Sequence, residues 1–265
     1  MIFSRQLWWL SLIIGLLLVS GCASKLPRTV AVSGPDLEVV QERLSRFFEQ
    51  SCVMAIDSDV RLGWRAYGRN ETYPAILLST FPASVRFAIV DPLGRPLLLL
   101  VTNGETFTLA DNRRGEGYTG RLDSDFIRRY LPDSISGDDL FSWINGRIRL
   151  QGVQVLSARR AEDGELFWYE LDYGDRLIHL VALDRDHLSR HLVLDEEDAI
   201  IFDVRYSGYA ATSKQCGWPG KIVVTGEALA ADFTLDFTRV YSFSALQQHL
   251  FQLQLPSHFT VHEVK

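Results

Sequence analysis

One short stretch of the sequence carries residue types that could ligate a metal ion. His187 and His191 are four residues apart and lie near Asp184 and Asp186. On a helix, both imidazoles would share one face and could bind zinc. Residues 182–194 are more typical of a turn between two strands, with the aspartates in solvent. We therefore predict no metal site here.

A second stretch matches the G-x-G-x-x-G pattern of dinucleotide-binding loops. Residues 115–120 read Gly-Glu-Gly-Tyr-Thr-Gly. A nucleotide site of this kind needs a parallel strand–helix–strand unit whose helix N-terminus faces the pyrophosphate. The surrounding sequence predicts hairpins instead. We interpret these glycines as part of a connection between strands, and we expect no cofactor.

Common catalytic motifs do not occur in the sequence. There is no Gly-x-Ser-x-Gly elbow, no P-loop, no His-Glu-x-x-His and no paired Cys-x-x-Cys. We expect a protein that is not an enzyme, since a hydrolase on a β scaffold would need a cleft with convergent polar groups. The formal net charge of −6 also gives no reason to expect nucleic acid as a partner.

The N-terminus has the pattern of a bacterial lipoprotein signal peptide. Arg5 precedes an apolar run over residues 7–19, and the small residues Ser20 and Gly21 precede Cys22. The run is short for a membrane-spanning helix, although an uncleaved anchor is the alternative. We predict that the signal peptide is removed and that Cys22 is acylated.

Signal cleavage divides the chain into three parts. Residues 1–21 form the signal peptide, residues 22–35 a lipidated tether with proline, serine and glycine, and residues 36–265 a single domain. Ala23 follows the cysteine, and by resemblance to the sorting rules of enteric bacteria this favours the outer membrane, with the domain facing the periplasm. That compartment is oxidising, so Cys52 and Cys216 could form a disulfide or remain two separate thiols.

Periodic apolar residues predict the elements of the domain. Helical spacing is found for Leu37, Val40, Leu44, Phe47 and Phe48. Further helices are predicted over residues 123–130, 137–145 and 245–251, and an antiparallel meander between the first two helical regions. Strands are predicted for most of the remainder, at residues 153–159, 166–173, 176–183, 191–194, 199–209, 221–226, 231–241 and 258–264.

The most informative hairpin contains residues 85–101. Two apolar runs flank Asp91-Pro92-Leu93-Gly94, a sequence of turn residues interrupted by a large apolar side chain. Leu93 either folds back against the domain or is exposed for contact with a membrane or an acyl chain.

Several motifs in this order resemble the LolB and LolA/LolB-like family of outer-membrane lipoproteins. They are the lipobox at Cys22, the Pro92-Leu93-Gly94 hairpin and its neighbouring strands, the Asn103-Gly104 turn, and the Gly117-Tyr118-Thr119 run. The last match is Leu-Phe-Ser-Trp-Ile-Asn-Gly at residues 140–146. The likeness spans roughly residues 40–260 by pattern more than by identity.

The resemblance implies an α+β, mainly β fold: an incomplete antiparallel β-barrel covered by a few α-helices, with an apolar cavity for acyl chains. It implies that Leu93, with Pro92 and Gly94, contacts membrane or cargo. It implies a monomer that takes part in lipoprotein insertion into the outer membrane, with a periplasmic LolA-like carrier as partner. The alternative is a structural or interaction lipoprotein with a filled core and no transported ligand.

Overall fold

One large β-sheet forms most of the protein in the computed structural model. The structure describes residues 25–49, 55–80, 83–129, 137–149, 152–164, 166–211, 217–226, 229 and 231–265. The strands are β1 (Thr29–Ala31), β2 (Ala55–Ala66), β3 (Arg69–Thr80), β4 (Ser84–Val90), β5 (Pro96–Thr102), β6 (Thr106–Asp111), β7 (Glu116–Arg121), β8 (Gln154–Ala161), β9 (Phe167–Asp172), β10 (Ile178–Asp184), β11 (His187–Leu194), β12 (Ile200–Ser207), β13 (Ala210–Ala211), β14 (Gly217–Trp218), β15 (Lys221–Thr225), β16 (Asp232–Ser242) and β17 (Thr260–Val264).

The sheet is open. Its strand order is β1-β8-β9-β10-β11-β12-β15-β16-β2-β3-β4-β5-β6-β7-β17, while β13 and β14 pair separately. All neighbours in the large sheet are antiparallel except β17, which pairs with β7 in parallel. The predicted fold class, a mainly β protein with an unclosed sheet and few helices, is confirmed.

Few helices accompany the sheet in the described part of the chain. They are α1 (Pro35–Glu49), α2 (Asp125–Arg128), α3 (Gly137–Ile144) and a 3₁₀ helix (Gln248–Phe251). α1 and α3 agree with the sequence prediction, and Gly146 follows α3 with a φ of 60°, as expected of a glycine C-cap. α2 is shorter than predicted.

Helices α1 and α3 pack on one face of the sheet, which we call the inner face. Val40 and Phe47 of α1 and Trp143 of α3 belong to one buried apolar cluster with inward side chains of β9–β12. Tyr169 on β9 donates a hydrogen bond of 2.9 Å from its hydroxyl to the Val40 carbonyl, which fixes α1 to the sheet. Burial of this cluster stabilises the β9–β12 half of the domain.

The C-terminal segment covers the opposite, outer face over β3–β7. The apolar side chains of this segment pack on Ala88, Leu99 and Ala110. The packing residues of the segment are Leu246, Leu250, Phe251, Leu253, Leu255 and Phe259. Arg86 donates to the Leu250 carbonyl at 3.1 Å and holds the segment in place. The segment then enters the sheet as β17.

The predicted tether is partly a strand, and the predictions for the three cysteines are not tested by the structure. Residues 29–31, within the predicted tether, form β1 and pair with β8. Cys22, Cys52 and Cys216 lie outside the described residues, so their lipidation and pairing stay predictions. No helix in the ranges described above is both long enough and apolar enough to cross a bilayer.

Candidate functional site

Leu93 is at the exposed tip of the β4–β5 hairpin. Its side chain is 78% exposed, and Pro92 and Gly94 on either side are also exposed. Gly94 has a φ of 79°, which an L side chain adopts only with strain. The turn therefore holds a large apolar side chain in solvent, and the possibility that Leu93 folds back against the domain is not realised.

Asp91 makes this turn rigid. Its Oδ1 accepts hydrogen bonds from the backbone N–H groups of Leu93, at 2.8 Å, and Arg95, at 2.9 Å. Its Oδ2 accepts one of 2.7 Å from the Arg95 guanidinium. The Arg95 backbone N–H first, and then the Arg95 side chain and the Leu93 N–H, hold the pKa of Asp91 below its usual value. The backbone at Leu93 is thus fixed by its neighbours.

An apolar patch on the inner face begins at the base of this hairpin. It consists of Phe87, Ile89, Leu98, Leu100 and Leu109, which are half-buried. The register places Ile89 opposite Leu98, Phe87 opposite Leu100, and Leu100 opposite Leu109. Directly opposed residues share a face, so these side chains form one continuous surface across β4, β5 and β6. We keep the name apolar patch for these five residues.

Short helices border the apolar patch on two sides. Phe141 of α3 packs with Leu77 and Val85 on β3 and β4. Phe126 of α2 stacks on Phe107, with ring centroids 5.9 Å apart, and on Tyr118, at 5.2 Å. The patch therefore lies between α3 and α2 and continues toward the Leu93 turn.

Polar contacts fix α3 above the inner face at two buried points. Ser79 donates from Oγ to Oδ1 of Asn145 at 2.9 Å, and Asn145 donates from Nδ2 to the Phe141 carbonyl at 2.6 Å. On the other side, Trp143 donates from Nε1 to Nδ1 of His191 at 3.1 Å. The C-terminal end of α3 thus contacts both β3 and β11, so α3 joins the two halves of the sheet.

His191 and His179 form a buried pair that sequence reasoning did not find. His179 Nδ1 and His191 Nε2 are 3.0 Å apart, and both residues are almost fully buried. Burial lowers the pKa of His191 well below its ordinary value, and the neighbouring His179 adds to the effect. Burial also lowers the pKa of His179, against partial opposition from Asp175 and Asp139. Both imidazoles are therefore neutral at neutral pH.

The β9–β12 half of the inner face is filled by side chains. Tyr169, Val181, Val193 and Phe202 are fully buried beneath α1 and α3. A ligand therefore has access to the apolar patch but not to the β9–β12 half of the inner face.

A separate shallow cleft of about 250 Å³ lies at one end of β9 and β10. Its walls combine apolar and charged side chains: Leu156, Glu170, Leu171, Asp172, Arg176, Leu177, Ile178 and Glu196. This volume is below the roughly 300–1,000 Å³ typical of ligand pockets. We therefore favour the apolar patch as the candidate site.

The histidine stretch contains the predicted turn between two strands, but the turn is only residues 185 and 186, and His187 and His191 are both on a strand. β10 ends at Asp184 and β11 begins at His187. His187 stacks on Tyr209, with centroids 4.5 Å apart, whereas His191 faces Trp143 and His179. Within the described ranges, no group of three or more His, Cys, Asp or Glu residues is placed to hold a metal ion.

The glycine-rich stretch lies in an antiparallel hairpin, β6–β7, as predicted, but only Gly115 is in the connection, and Gly117 and Gly120 are on β7. A Cβ at Gly117 would lie 2.4 Å from Leu255 Cδ1, and one at Gly120 would lie 2.5 Å from the Val264 carbonyl oxygen. These two glycines therefore provide room for the C-terminal segment and β17.

Comparison with known proteins gives results at the level of structure. No protein-family model matches the chain, and no curated protein sequence matches it. A LolA superfamily protein, NE2245 from Nitrosomonas europaea, superposes with a TM-score of 0.55 at 15% identity, over 80% of this chain and 97% of that one. This chain has the fold of LolA superfamily proteins.

Two other solved structures agree. A protein from Vibrio parahaemolyticus, described as an outer membrane lipoprotein-sorting domain, has a TM-score of 0.57 at 13% identity, over 81% of this chain and 95% of that one. A DUF1329 family protein from Desulfovibrio piger has a TM-score of 0.55 at 10% identity, over 81% and 96%. The fold implied by the resemblance to LolA/LolB-like proteins is therefore confirmed as that of LolA superfamily proteins, and the match to LolB itself stays a prediction.

Proposed function

We propose that this protein is an outer-membrane lipoprotein that binds acyl chains of lipoproteins or lipids and takes part in inserting cargo into the outer membrane. One observation carries the proposal: the apolar patch is continuous with the base of a hairpin that exposes Leu93. The activity needs no catalytic residue, because binding and release suffice.

The apolar patch suits an acyl chain. Its five side chains lie on three adjacent strands, which at 4.7–4.9 Å per strand spacing give a width of about 10 Å. When a methylene chain covers these side chains, apolar surface of both the acyl chain and the patch is removed from water. This burial stabilises the complex by about 0.8 kcal/mol per CH₂. The patch is bordered by α2 and α3, so a bound chain would lie between these helices and the hairpin.

The Leu93 hairpin suits the transfer step. A rigid turn presents its side chain without an ordering cost, and the side chain enters the apolar part of a bilayer more favourably than it stays in water. Acylation of Cys22 would keep the domain at the outer membrane, facing the periplasm. In this proposal a monomer receives cargo from a periplasmic LolA-like carrier.

The alternative is a structural or interaction lipoprotein without a transported ligand. The observation that favours it is the filled inner face between α1 and β9–β12. The two functions differ in what occupies the apolar patch, so the patch is the place to test them.

A photo-crosslinking amino acid at position 100 in the full-length chain tests acyl binding in cells. We expect it to capture a lipid or an acylated protein, identified by mass spectrometry. The matched control places the same amino acid at Val155, an exposed apolar position on β8. Crosslinks to acyl groups at neither position, or equally at both, would contradict acyl binding by the patch and favour the structural role.

A further inference from the structure

The β2–β3 hairpin ends at the same end of the sheet as the Leu93 hairpin. Arg69 pairs with Ala66 at its tip, and Ala75 pairs with Ile89 of β4. From Ala75 to Arg69 the strand continues for about 20 Å at 3.3–3.4 Å per residue. The β2–β3 tip therefore projects beyond the row where the β4–β5 turn begins.

Tyr67 is at this tip and is 93% exposed, the most exposed of the large apolar and aromatic residues in the described ranges; Leu93 is next. Tyr67 and Gly68 form a two-residue turn with φ values of 50° and 74°. Such turns normally carry Asn, Asp or Gly, because a bulky side chain at positive φ is strained. The chain thus keeps an aromatic ring in water at a position where both solvation and backbone geometry favour another residue, which points to function.

Aromatic and basic side chains surround this tip. Trp64 is 42% exposed and packs edge-on against Phe233 at 5.0 Å, and Tyr73 lies on the same face. Trp and Tyr are the residues enriched where a bilayer meets water, since each combines an apolar ring with a polar group. The tip therefore has the composition of an interfacial anchor.

Two guanidinium groups accompany these aromatic residues. Arg69 follows the β2–β3 turn, and Arg113 belongs to the β6–β7 turn, which the strand register places at the same end of the sheet. Arg65 and Arg95, by contrast, pair with Asp232 and Asp91. Neither Arg69 nor Arg113 forms an ion pair within the described part of the chain. Both are therefore available to phosphate, which guanidinium binds well.

We propose that this end of the sheet docks on a phospholipid bilayer through the β2–β3 hairpin: Tyr67 enters the interface, and Arg69 and Arg113 bind lipid phosphate groups. This contact is additional to that of Leu93. It rests on the membrane location in the proposed function, but it does not require acyl binding by the apolar patch. Anionic phospholipid is the preferred surface, because it adds charge complementarity to phosphate contact.

Fluorescence of the full-length protein, reconstituted in vesicles through its own anchor, tests the docking. A fluorescent, environment-sensitive amino acid replaces Tyr67, and the vesicles contain lipids with a quencher at a known depth. The matched control replaces Tyr241, an exposed tyrosine at the opposite end of β2 and β16. We expect position 67 to be quenched at least about twofold more than position 241.

A second variant tests the arginines. In vesicles with anionic lipid, the docked population reported at position 67 should be about fivefold or more smaller for the Arg69→Gln/Arg113→Gln protein than for the protein with both arginines. Equal quenching at both positions, or quenching at position 241 alone, would overturn the proposal. Its failure leaves the crosslinking result at position 100 unaffected, so the docking surface and the acyl site are tested separately.

Discussion

The indole nitrogen of Trp143 lies 3.1 Å from Nδ1 of His191. Because an indole N–H only donates, Nδ1 accepts and His191 carries its proton on Nε2. That nitrogen is 3.0 Å from Nδ1 of His179, so His179 in turn carries its proton on Nε2, which faces Asp175 at 3.5 Å. The attachment of α3 to β11 thus requires one tautomer of each neutral histidine.

This pair predicts a loss of stability in mild acid. The folded pKa values of His179 and His191 are below the ordinary 6.5, so the unfolded chain binds protons that the folded chain does not. Stability should therefore fall as pH decreases through about 6.5, by up to about 1.4 kcal/mol per pH unit for each histidine. Urea unfolding between about pH 8 and pH 5 measures this slope. His191→Gln should reduce the dependence of the unfolding free energy on pH. The control is His249→Gln, at an exposed position, which should leave this dependence unchanged. An unchanged slope in His191→Gln would contradict the role of the buried histidine pair.

Trp143→Phe tests the attachment of α3. The ring is kept in part, but Nδ1 of buried His191 loses its donor, which costs about 1–3 kcal/mol. Urea unfolding at neutral pH should show this loss. The control is Trp64→Phe on the partly exposed part of β2, which should change stability by less than about 0.5 kcal/mol. Equal effects of both substitutions would show that the Trp143–His191 bond contributes nothing specific.

The Leu93→Glu substitution tests whether Leu93 takes part in cargo transfer without contributing to the stability of the fold. The side chain is exposed, so the midpoint of thermal unfolding should hardly change. Transfer of an acylated cargo into liposomes should slow, because a carboxylate cannot enter the apolar part of the bilayer. Leu156→Glu, at another exposed apolar position on β8, is the control. Normal transfer by Leu93→Glu would rule out a role for Leu93.

Asp91→Ala tests whether the rigidity of the turn matters. The substitution removes the acceptor for Leu93 and Arg95 N–H groups while it leaves the Leu93 side chain in place. Amide hydrogen exchange at positions 93 and 95 should accelerate, and cargo transfer should slow. Fast exchange with undiminished transfer would show that exposure of Leu93 is sufficient without a fixed turn.

Local patterns in the sequence predicted most of the elements that build the site. The β4–β5 hairpin, α1 and the Gly146 cap of α3 each follow from residues within a few positions of one another. Turn chemistry also indicated that Leu93 is unusual. These features are determined locally, so one sequence suffices to find them.

Contacts between distant residues could not be predicted in this way. His179 and His191 meet only because the β10–β11 register brings them to neighbouring inward positions. Similarly, the C-terminal segment covers the outer face and ends in a parallel strand because Gly117 and Gly120, far away in sequence, leave room for it. Alternation in each strand indicated which residues are apolar, but register decides which of them form the apolar patch.

Native mass spectrometry of the full-length protein, extracted from membranes, tests acyl binding most directly. We predict that the protein retains noncovalent acyl lipid or lipoprotein, in addition to any acyl group attached to Cys22. Leu100→Ser in the apolar patch should reduce this retention, and Leu156→Ser on β8 should not. Wild-type protein without noncovalent acyl ligand, or equal retention by the two variants, would contradict a lipid-binding function of the patch.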